Sequence, residues 1–325
     1  MKHEGGTLMA LTVFIDGKEG TTGLRIFERL ATRPDLTMLT LPEEKRKDPA
    51  ARKEAIHAAD IAVLCLPDAA AKESVALAEG SKARILDTST AHRIASGWSY
   101  GFAELSAAHR QGIIEGSRVA VPGCHASGFI SLVTPLTATG LLPADTALTC
   151  FSLTGYSGGG KKMIAQYEGA DRTPDLDSPR PYGLTQAHKH LPEMTHVPGL
   201  KVQPIFAPIV ADFYSGMEVT VPLFRHQVNA GAHPLDELLV CLKTHYAASP
   251  VVQVLGPEDV AAMGGFVAAN AMSGHDGMRL MVLGNDDRMQ LVALFDNLGK
   301  GSSGAAVQCL NLMIGAEETE GLNLT

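Results

Sequence analysis

The chain has 325 residues, of which 45% are hydrophobic and 19% charged; this length suits two domains, and the composition excludes an intrinsically disordered protein. Its formal net charge of -8 excludes a general nucleic-acid binder, which needs a basic face. No apolar run is long enough to span a membrane, and residues 1–6 lack the apolar core of a signal peptide, so we expect a cytoplasmic protein.

Predicted strands and helices alternate along the first third of the chain. Short apolar runs rich in β-branched residues predict strands over 11–15, 36–41, 61–66 and 84–86. The stretches between them predict helices over 24–31, 49–58 and 69–78. Alternation of this kind predicts an α/β domain with a parallel sheet covered by helices on both faces.

The pattern changes near residue 124. Longer strands are predicted over 146–153, 205–209, 217–223 and 289–294, with helices over 234–246 and 304–314. Fewer crossovers occur here, so we predict a second domain of the α+β class over 124–300. We expect the last helix to return to the first domain, which then comprises 1–123 completed by 301–325.

A glycine-rich loop follows the first predicted strand. Gly17 permits a tight turn, Gly20 lets the backbone approach a pyrophosphate, and Gly23 allows the next helix to pack closely on the strand. The spacing is GxxGxxG, which differs from the commoner GxGxxG, so a plain structural turn remains an alternative. In this strand-loop-helix context we predict a Rossmann-type dinucleotide-binding domain. Its predicted cofactor-binding residues are Gly17, Gly20, Thr21, Thr22 and Gly23.

The sequence after the second predicted strand bears on the choice of cofactor. Enzymes that use NAD usually place an acidic residue at this strand tip, where it holds the ribose 2′-hydroxyl. Here Glu43 and Glu44 precede Lys45, Arg46 and Lys47. A basic cluster suits the 2′-phosphate, so we predict NADP(H), with a solvated helix start as the alternative.

Cys124 differs from the other four cysteines in its surroundings. The five cysteines are widely spaced and form no CxxC pair, which excludes a zinc knuckle and a disulfide framework. Cys124 lies in a Pro-Gly-x-x-Ala-Ser-Gly turn before a helix predicted over 126–137, where the helix N-terminus would lower the pKa of its thiol. We therefore predict a nucleophile. The small residues expected to let a substrate approach its sulfur are Gly123, Ala126, Ser127 and Gly128.

A thiolate nucleophile needs a partner that handles protons, and the histidine-rich segment 188–196 is the best candidate. His190, Glu193 and His196 have spacings that could share a helix face, which also resembles a metal site. Zinc would compete with free thiol chemistry, so we predict acid-base chemistry and no metal, with surface histidines as the remaining alternative.

Several motifs in order resemble the N-acetyl-gamma-glutamyl-phosphate reductase family in its shorter type-2 form. The resemblance covers nearly the whole chain, and this ordered set is specific, although single motifs are shared with aspartate-semialdehyde dehydrogenase. The motifs are the glycine loop, Asp-x-Ser-x-x-x-Arg at 87–93, Tyr-Gly-x-x-Glu-Leu at 100–105, Pro-Gly-Cys at 122–124, the glycine run at 158–160, His-Lys-His-x-Pro-Glu at 188–193, and residues 296–304.

The resemblance implies that the Cys124 thiolate attacks an acyl phosphate, that phosphate leaves, and that NADPH reduces the thioester to a semialdehyde. It implies His190 as the acid-base group, with His188 as the alternative. Arg93 is expected to bind the substrate phosphate or carboxylate through its planar guanidinium, with a surface ion pair as the alternative. Further predicted substrate contacts are His188, Lys189 and Gly159, and further cofactor contacts are Ser89, Gly158, Asn297 and Gly299.

The resemblance also implies a small acyl-phosphate substrate and a homodimer or homotetramer, in which residues 124–300 form the catalytic and oligomerisation domain. Aspartate-semialdehyde dehydrogenase and a catalytically inactive NADP-sensing protein remain alternatives. The chain departs from the family pattern at Val121, His125 and His92, where the family commonly has Asn, Tyr and Phe. We expect these changes to affect local packing more than chemistry.

Overall fold

The computed structural model describes residues 10–324, and residues 1–6, in which the sequence predicts no signal peptide, lie outside the described part. The described chain divides into two compact units, one of residues 10–122 with 302–322 and one of residues 123–301 with 323–324. Residues 123, 301, 323 and 324, which the predicted division assigned to the first domain, belong to the second unit. Asn323 is held there because its N donates to Asp276 Oδ2 at 2.8 Å and Asp276 N donates to Asn323 O at 2.6 Å.

The first unit is an α/β domain, as predicted. Its elements in chain order are β1 Leu11–Asp16, α1 Thr21–Leu30, β2 Leu36–Leu39, α2 Pro49–Ala58, β3 Ile61–Leu64, α3 Asp68–Leu77, β4 Arg84–Asp87, β5 Ser99–Tyr100, α4 Ala107–Glu115 and β6 Arg118–Ala120, with the C-terminal helix Gly304–Ile314. The described strands form one parallel sheet in the order β2-β1-β3-β4-β6-β5. Strand order reverses beside β1, which places the glycine loop at the switch point of the sheet.

Both faces of this sheet are buried. Val13 and Ile15 of β1 pack on one face with α1, α4 and the C-terminal helix, while Phe14 packs on the other face with α2. Successive side chains of a strand point to opposite faces, so a strand covered on both sides is a continuous apolar run. This explains why β1 and β3 are recognisable in the sequence.

The second unit is built on a mixed sheet. Its elements are α5 Cys124–Ala138, β7 Thr149–Gly155, α6 Gly160–Glu168, β8 Arg180–Pro181, α7 Leu191–His196, β9 Ile205–Ala211, β10 Met217–Phe224, α8 Pro234–Tyr246, β11 Val252–Val254, α9 Pro257–Ala261, β12 Met278–Asn285 and β13 Arg288–Phe295. The described strands lie in the order β11-β12-β13-β10-β7-β9-β8. α5 packs on β10 and β13, and α8 packs on β11 and β12.

Strand β12 has no counterpart among the predicted strands. It forms a hairpin with β13, in which Asn285 Oδ1 accepts hydrogen bonds from Asp287 N and Arg288 N, both at 3.0 Å. Gly284 has φ +109°, and a Cβ there would lie 2.2 Å from the carbonyl oxygen of Arg288, so this turn needs glycine. Within residues 10–324, none of the helices is long and apolar enough to cross a membrane.

Candidate functional site

The glycine loop of the first unit has strict steric requirements at two positions. Gly17 has φ +87°, and a Cβ on it would lie 2.3 Å from the carbonyl oxygen of Cys65. A Cβ on Gly23 would lie 2.5 Å from the carbonyl oxygen of Gly17. Gly20 has more room, since a Cβ there would come no closer than 3.4 Å, to the carbonyl oxygen of Gly17. The predicted start of the following helix at residue 24 is wrong, because α1 already begins at Thr21.

The start of α1 fits an anionic group. Gly20 is the N-cap residue and provides no side-chain cap, and the first turn contains no acidic residue. The amides of the first turn, which include those of Thr21 and Thr22, therefore face outward with the positive end of the helix dipole. The Thr22 hydroxyl lies 3.2 Å from Ser302 Oγ, within the same unit. These features fit the pyrophosphate of a dinucleotide.

A buried polar network that was not predicted from the sequence lies beneath this loop. Asp16, at the end of β1, accepts hydrogen bonds from Ser74 Oγ at 2.7 Å and from Arg52 Nε at 3.1 Å. Arg52 also contacts Glu73 at 2.7 Å. The network ties β1 to α2 and α3 directly before Gly17. Arg52 lies beside Lys53 and Glu54 in α2, so no local pattern indicates that it is buried.

The basic cluster after β2 is exposed and partly balanced by acids. Arg46 Nη2 lies 3.4 Å from Glu43 Oε1, one helical turn away. An ion pair of this kind in solvent is weak, about 0–1 kcal/mol, so a bound phosphate can compete for Arg46.

The end of β4 carries the predicted cofactor residue Ser89. Buried Asp87 accepts hydrogen bonds from Ser89 Oγ at 2.7 Å and from His92 Nδ1 at 2.6 Å. His92 stacks on Trp98, with ring centroids 4.2 Å apart. His92, where the family commonly has Phe, thus supplies a ring that stacks on Trp98 and also hydrogen-bonds to Asp87. Arg93 donates from Nε to Val121 O at 3.0 Å and from Nη2 to Thr88 O at 3.2 Å, which fixes its guanidinium against the backbone.

Cys124 lies at the N-terminus of α5 in the second unit. Gly123 is the N-cap residue, and its amide donates to Glu193 Oε2 at 3.2 Å. A Cβ on Gly301 would lie 2.9 Å from Cβ of Cys124, so the loop after β13 packs directly against the cysteine. No disulfide joins any of the five cysteines, all of which lie within the described residues. Cys150 is buried, which raises the pKa of its thiol above its ordinary value, whereas Cys124 is partly exposed.

The small residues after Cys124 do not open a path to its sulfur, so that expectation is wrong for Ala126, Ser127 and Gly128. All three are buried. Ser127 Oγ donates to Gly123 O at 3.0 Å, and a Cβ on Gly128 would lie 2.5 Å from Val219 Cγ2. Gly128 is therefore needed to pack α5 closely on β10.

Three histidine rings cluster around His125, the residue that follows Cys124. His190 is buried at the N-cap of α7, and its ring centroid lies 4.7 Å from that of His188. The ring of His125, which follows Cys124, lies 5.7 Å from His188 and 5.6 Å from His190. His188 Nδ1 accepts a hydrogen bond from the amide of His190 at 3.2 Å. Both predicted acid-base candidates therefore lie in the cluster.

His125 and Tyr182 belong to the same cluster, although neither was predicted as a site residue from the sequence. His125 Nδ1 lies 2.7 Å from Ser152 Oγ, and its Nε2 lies 2.6 Å from the Tyr182 hydroxyl. Burial and then the nearby charges of His188 and Lys189 lower the pKa of His125 to about 3. Burial, and next the charge of Cys124, raise the pKa of Tyr182 above its usual value.

The segment that carries the two predicted histidines is held against β9. Gln186 Nε2 donates to Phe206 O at 2.8 Å, and Phe206 N donates to Gln186 Oε1 at 2.9 Å. Phe206 then contacts His188, with ring centroids 5.1 Å apart. Lys189 between the histidines is exposed, and its charge contributes to the lowered pKa of His125.

The remaining predicted residues of this unit lie on the loops after β7 and β13. Asn297 is buried, donates to Ser157 Oγ at 3.0 Å and accepts from Gly216 N at 2.9 Å, so its amide holds the turn that contains Gly158 and Gly159. A Cβ on Gly158 would lie 3.4 Å from Asn297 Nδ2. Gly299 has no room for a side chain, because a Cβ there would lie 2.2 Å from the carbonyl oxygen of His275.

Known proteins resemble this chain in sequence over nearly its whole length. A family model described as the semialdehyde dehydrogenase dimerisation domain matches residues 124–297. The chain is 48% identical over 308 residues to the N-acetyl-gamma-glutamyl-phosphate reductases of Brucella ovis and of Brucella abortus strain 2308, and each match covers 93% of this chain and 98% of the relative.

Solved structures share the fold at low sequence identity. Aspartate semialdehyde dehydrogenase II of Vibrio cholerae, complexed with ASA, matches with a TM-score of 0.71 and 13% identity, covering 94% of this chain and 99% of that chain. The Candida albicans aspartate semialdehyde dehydrogenase with NADP matches with a TM-score of 0.65 and 14% identity, covering 94% and 99% respectively. These matches confirm the predicted combination of a parallel α/β domain with a second α+β domain.

Proposed function

Since the chain belongs to the family of N-acetyl-gamma-glutamyl-phosphate reductases, we infer that it reduces N-acetyl-L-glutamyl 5-phosphate to N-acetyl-L-glutamate 5-semialdehyde in arginine biosynthesis. The observation that carries this inference is the position of Cys124 at the N-terminus of α5, directly before His125, whose ring contacts those of His188 and His190. A thiolate beside proton-handling groups is suited to acyl transfer.

Cys124 attacks the acyl carbon in the first step. The sulfur forms a bond to that carbon while the bond from carbon to the phosphate oxygen breaks, and phosphate leaves with the electron pair. The thioester so formed is far more electrophilic than a carboxylate. NADPH, when bound, supplies the hydride that reduces this thioester. The protein then releases the semialdehyde and regains the Cys124 thiolate.

His190 is the proposed acid-base group at Cys124. It accepts the thiol proton before attack and protonates the oxygen that develops negative charge during reduction. Its burial at the start of α7 and its ring contact with His188 support this role. His188, Lys189 and Gly159 are proposed substrate contacts, and Arg93 is a proposed anion-binding side chain, because its guanidinium presents a planar fork.

The first unit is the proposed NADP(H)-binding domain. The backbone from Gly17 to Gly23 is shaped for a pyrophosphate, and the uncapped start of α1 supplies amides toward it. Ser89 is a further proposed cofactor contact from this unit. From the second unit the proposed contacts are Gly158, Asn297 and Gly299, of which Asn297 also holds the turn at Ser157.

We propose a homodimer or homotetramer. One face of the sheet in the second unit carries exposed large apolar side chains, namely Phe151 on β7, Ile205 on β9 and Phe224 on β10. Patches of this kind mark interaction surfaces in proteins that are otherwise well packed. We place the protein in the cytoplasm, because the mechanism needs Cys124 as a reduced thiol.

The reverse reaction tests this function. Purified protein is incubated with phosphate, NADP⁺ and either N-acetyl-glutamate semialdehyde or aspartate semialdehyde, and NADPH formation is followed by absorbance. We expect kcat/KM to be much higher with N-acetyl-glutamate semialdehyde, and faster turnover of aspartate semialdehyde would overturn the assignment. Cys124→Ser should abolish turnover while NADPH still binds, and an active serine variant would exclude the covalent mechanism.

A further inference from the structure

A buried aspartate immediately precedes the glycine loop of the first unit. Asp16 is the last residue of β1 and is 3% exposed. Its backbone oxygen accepts from Cys65 N at 2.8 Å, which ties the end of β1 to the residue after β3. Gly17 comes next, and its carbonyl oxygen accepts from the amide of Gly20 at 3.1 Å. The carboxylate of Asp16 therefore belongs to the residue adjoining the backbone that is proposed to receive a pyrophosphate.

The loop itself contributes no net charge. Lys18 and Glu19 are the charged residues of 17–23, and their charges cancel. The Lys18 ammonium lies 3.8 Å from the centroid of the Phe27 ring, within the range of a cation–π contact. The attraction for a pyrophosphate is therefore left to the amides at the start of α1, where the helix dipole amounts to about half a unit charge. A full negative charge on Asp16 would offset that attraction.

Arg52 compensates the charge of Asp16. Its Nε donates to Asp16 Oδ2 at 3.1 Å, and the two side chains are only 7% and 4% exposed. Arg52 Nη2 donates to Ser74 Oγ at 2.5 Å, and Ser74 Oγ donates to the same oxygen of Asp16 at 2.7 Å. The second ion pair of Arg52, with Glu73 at 2.7 Å, involves a carboxylate that is half exposed and therefore screened by solvent. The buried pair of Arg52 and Asp16 thus presents no net charge to the loop.

Stability alone does not account for a charged pair at this position, because a buried ion pair is often no more stabilising than apolar residues of the same volume. We propose that Arg52 sets the affinity of the first unit for its anionic cofactor by neutralising Asp16. Since Arg52 acts through Asp16, it is a positioning residue. This inference rests on the proposed binding of the NADP(H) pyrophosphate at the glycine loop.

The test measures the Kd of NADPH by fluorescence titration at about pH 8, well above the ordinary pKa of a carboxyl group. Arg52→Gln leaves Asp16 uncompensated, and we expect it to raise Kd about 10-fold, the effect of one charge at close range in a protein. Asp16→Asn keeps the shape but leaves the guanidinium positive, so Kd should fall below the parent value. The double variant carries neither charge, so its Kd should return to within about threefold of the parent value.

Arg33→Gln is the matched control. Arg33 is also buried in the first unit, and its Nη2 lies 2.6 Å from Asp35 Oδ2. This pair precedes β2, at the opposite edge of the parallel sheet from the loop that follows β1. We expect Arg33→Gln to lower the free energy of unfolding in urea as Arg52→Gln does, while the Kd of NADPH stays at the parent value. An equal loss of affinity in this control would mean that general loosening of the unit weakens binding, and would overturn the proposal.

Two further outcomes would also overturn it. One is a folded Arg52→Gln variant with the parent Kd, and the other is a weakened Arg52→Gln variant that Asp16→Asn does not restore. If Arg52→Gln fails to fold, Asp16→Asn alone decides, because tighter binding supports the proposal and equal or weaker binding refutes it. A parent protein that binds no NADPH would instead refute the proposed cofactor site, so the two failures are distinguishable.

Discussion

Replacing Gly301 with alanine would place a methyl group too close to Cys124 and displace that residue. A Cβ at this position would lie 2.9 Å from Cβ of Cys124 and 3.1 Å from the carbonyl oxygen of Asp296. Carbon atoms in favourable contact are about 3.5–4.0 Å apart, so the two residues must separate by roughly half an ångström or more. Overpacking of this kind lowers the free energy of unfolding by about 1–3 kcal/mol. Displacing a reacting atom by about 1 Å can cost about 100-fold in rate, so we expect kcat to fall about 10- to 100-fold.

The Gly301→Ala variant is assayed in the reverse direction with N-acetyl-glutamate semialdehyde, and its stability is measured by urea unfolding. Gly277→Ala in the same unit is the matched control, because its Cβ would come no closer than 3.4 Å, to the carbonyl oxygen of Val251. We expect the control to keep kcat near the parent value. A Gly301→Ala enzyme with unchanged kcat would refute the reasoning that this loop sets the position of Cys124.

Further outcomes follow from contacts elsewhere in the two units. Gly20→Ala should weaken NADPH binding by titration while leaving the melting temperature nearly unchanged, whereas Gly17→Ala, which has no room for a Cβ, should lower the melting temperature. Glu193→Ala removes the acceptor of the buried Gly123 amide and should cost about 1–3 kcal/mol by urea unfolding, with a smaller loss in Glu193→Gln. The pKa of His125 falls from 6.5 to about 3 on folding, so stability is lost as pH decreases through this range, and His125→Phe should reduce that loss by up to about 1.4 kcal/mol per pH unit.

The sequence predicted elements well where local signals were strong. The helices over 49–58, 234–246 and 304–314 have the predicted bounds. Proline stands at the start of the first two, and Gly315, with φ +71°, ends the last. Strand β12 was missed because its turn depends on a single glycine with positive φ and on pairing with β13, which no local pattern reveals.

The site was only partly predictable for a related reason. Cys124, His188 and His190 belong to recognisable motifs, and the two histidines lie in one cluster with His125, the residue after Cys124. Ser152 and Tyr182 are 27 and 57 residues from His125 in sequence, and their contacts with it arise only when β7 and the segment after β8 come together. The signal for these contacts in the sequence is the departure from the family pattern at His125, which we expected to affect local packing more than chemistry.

Direct detection of the acyl-enzyme tests the proposed role of Cys124 most directly. N-acetyl-L-glutamyl 5-phosphate is generated in place by a kinase with ATP and mixed with the reductase in the absence of NADPH, and the mixture is quenched in acid. The mechanism predicts a protein whose intact mass has gained one N-acetylglutamyl group, located at Cys124 by peptide mapping and absent from Cys124→Ser. An unmodified Cys124 in enzyme that turns over once NADPH is added would contradict the mechanism.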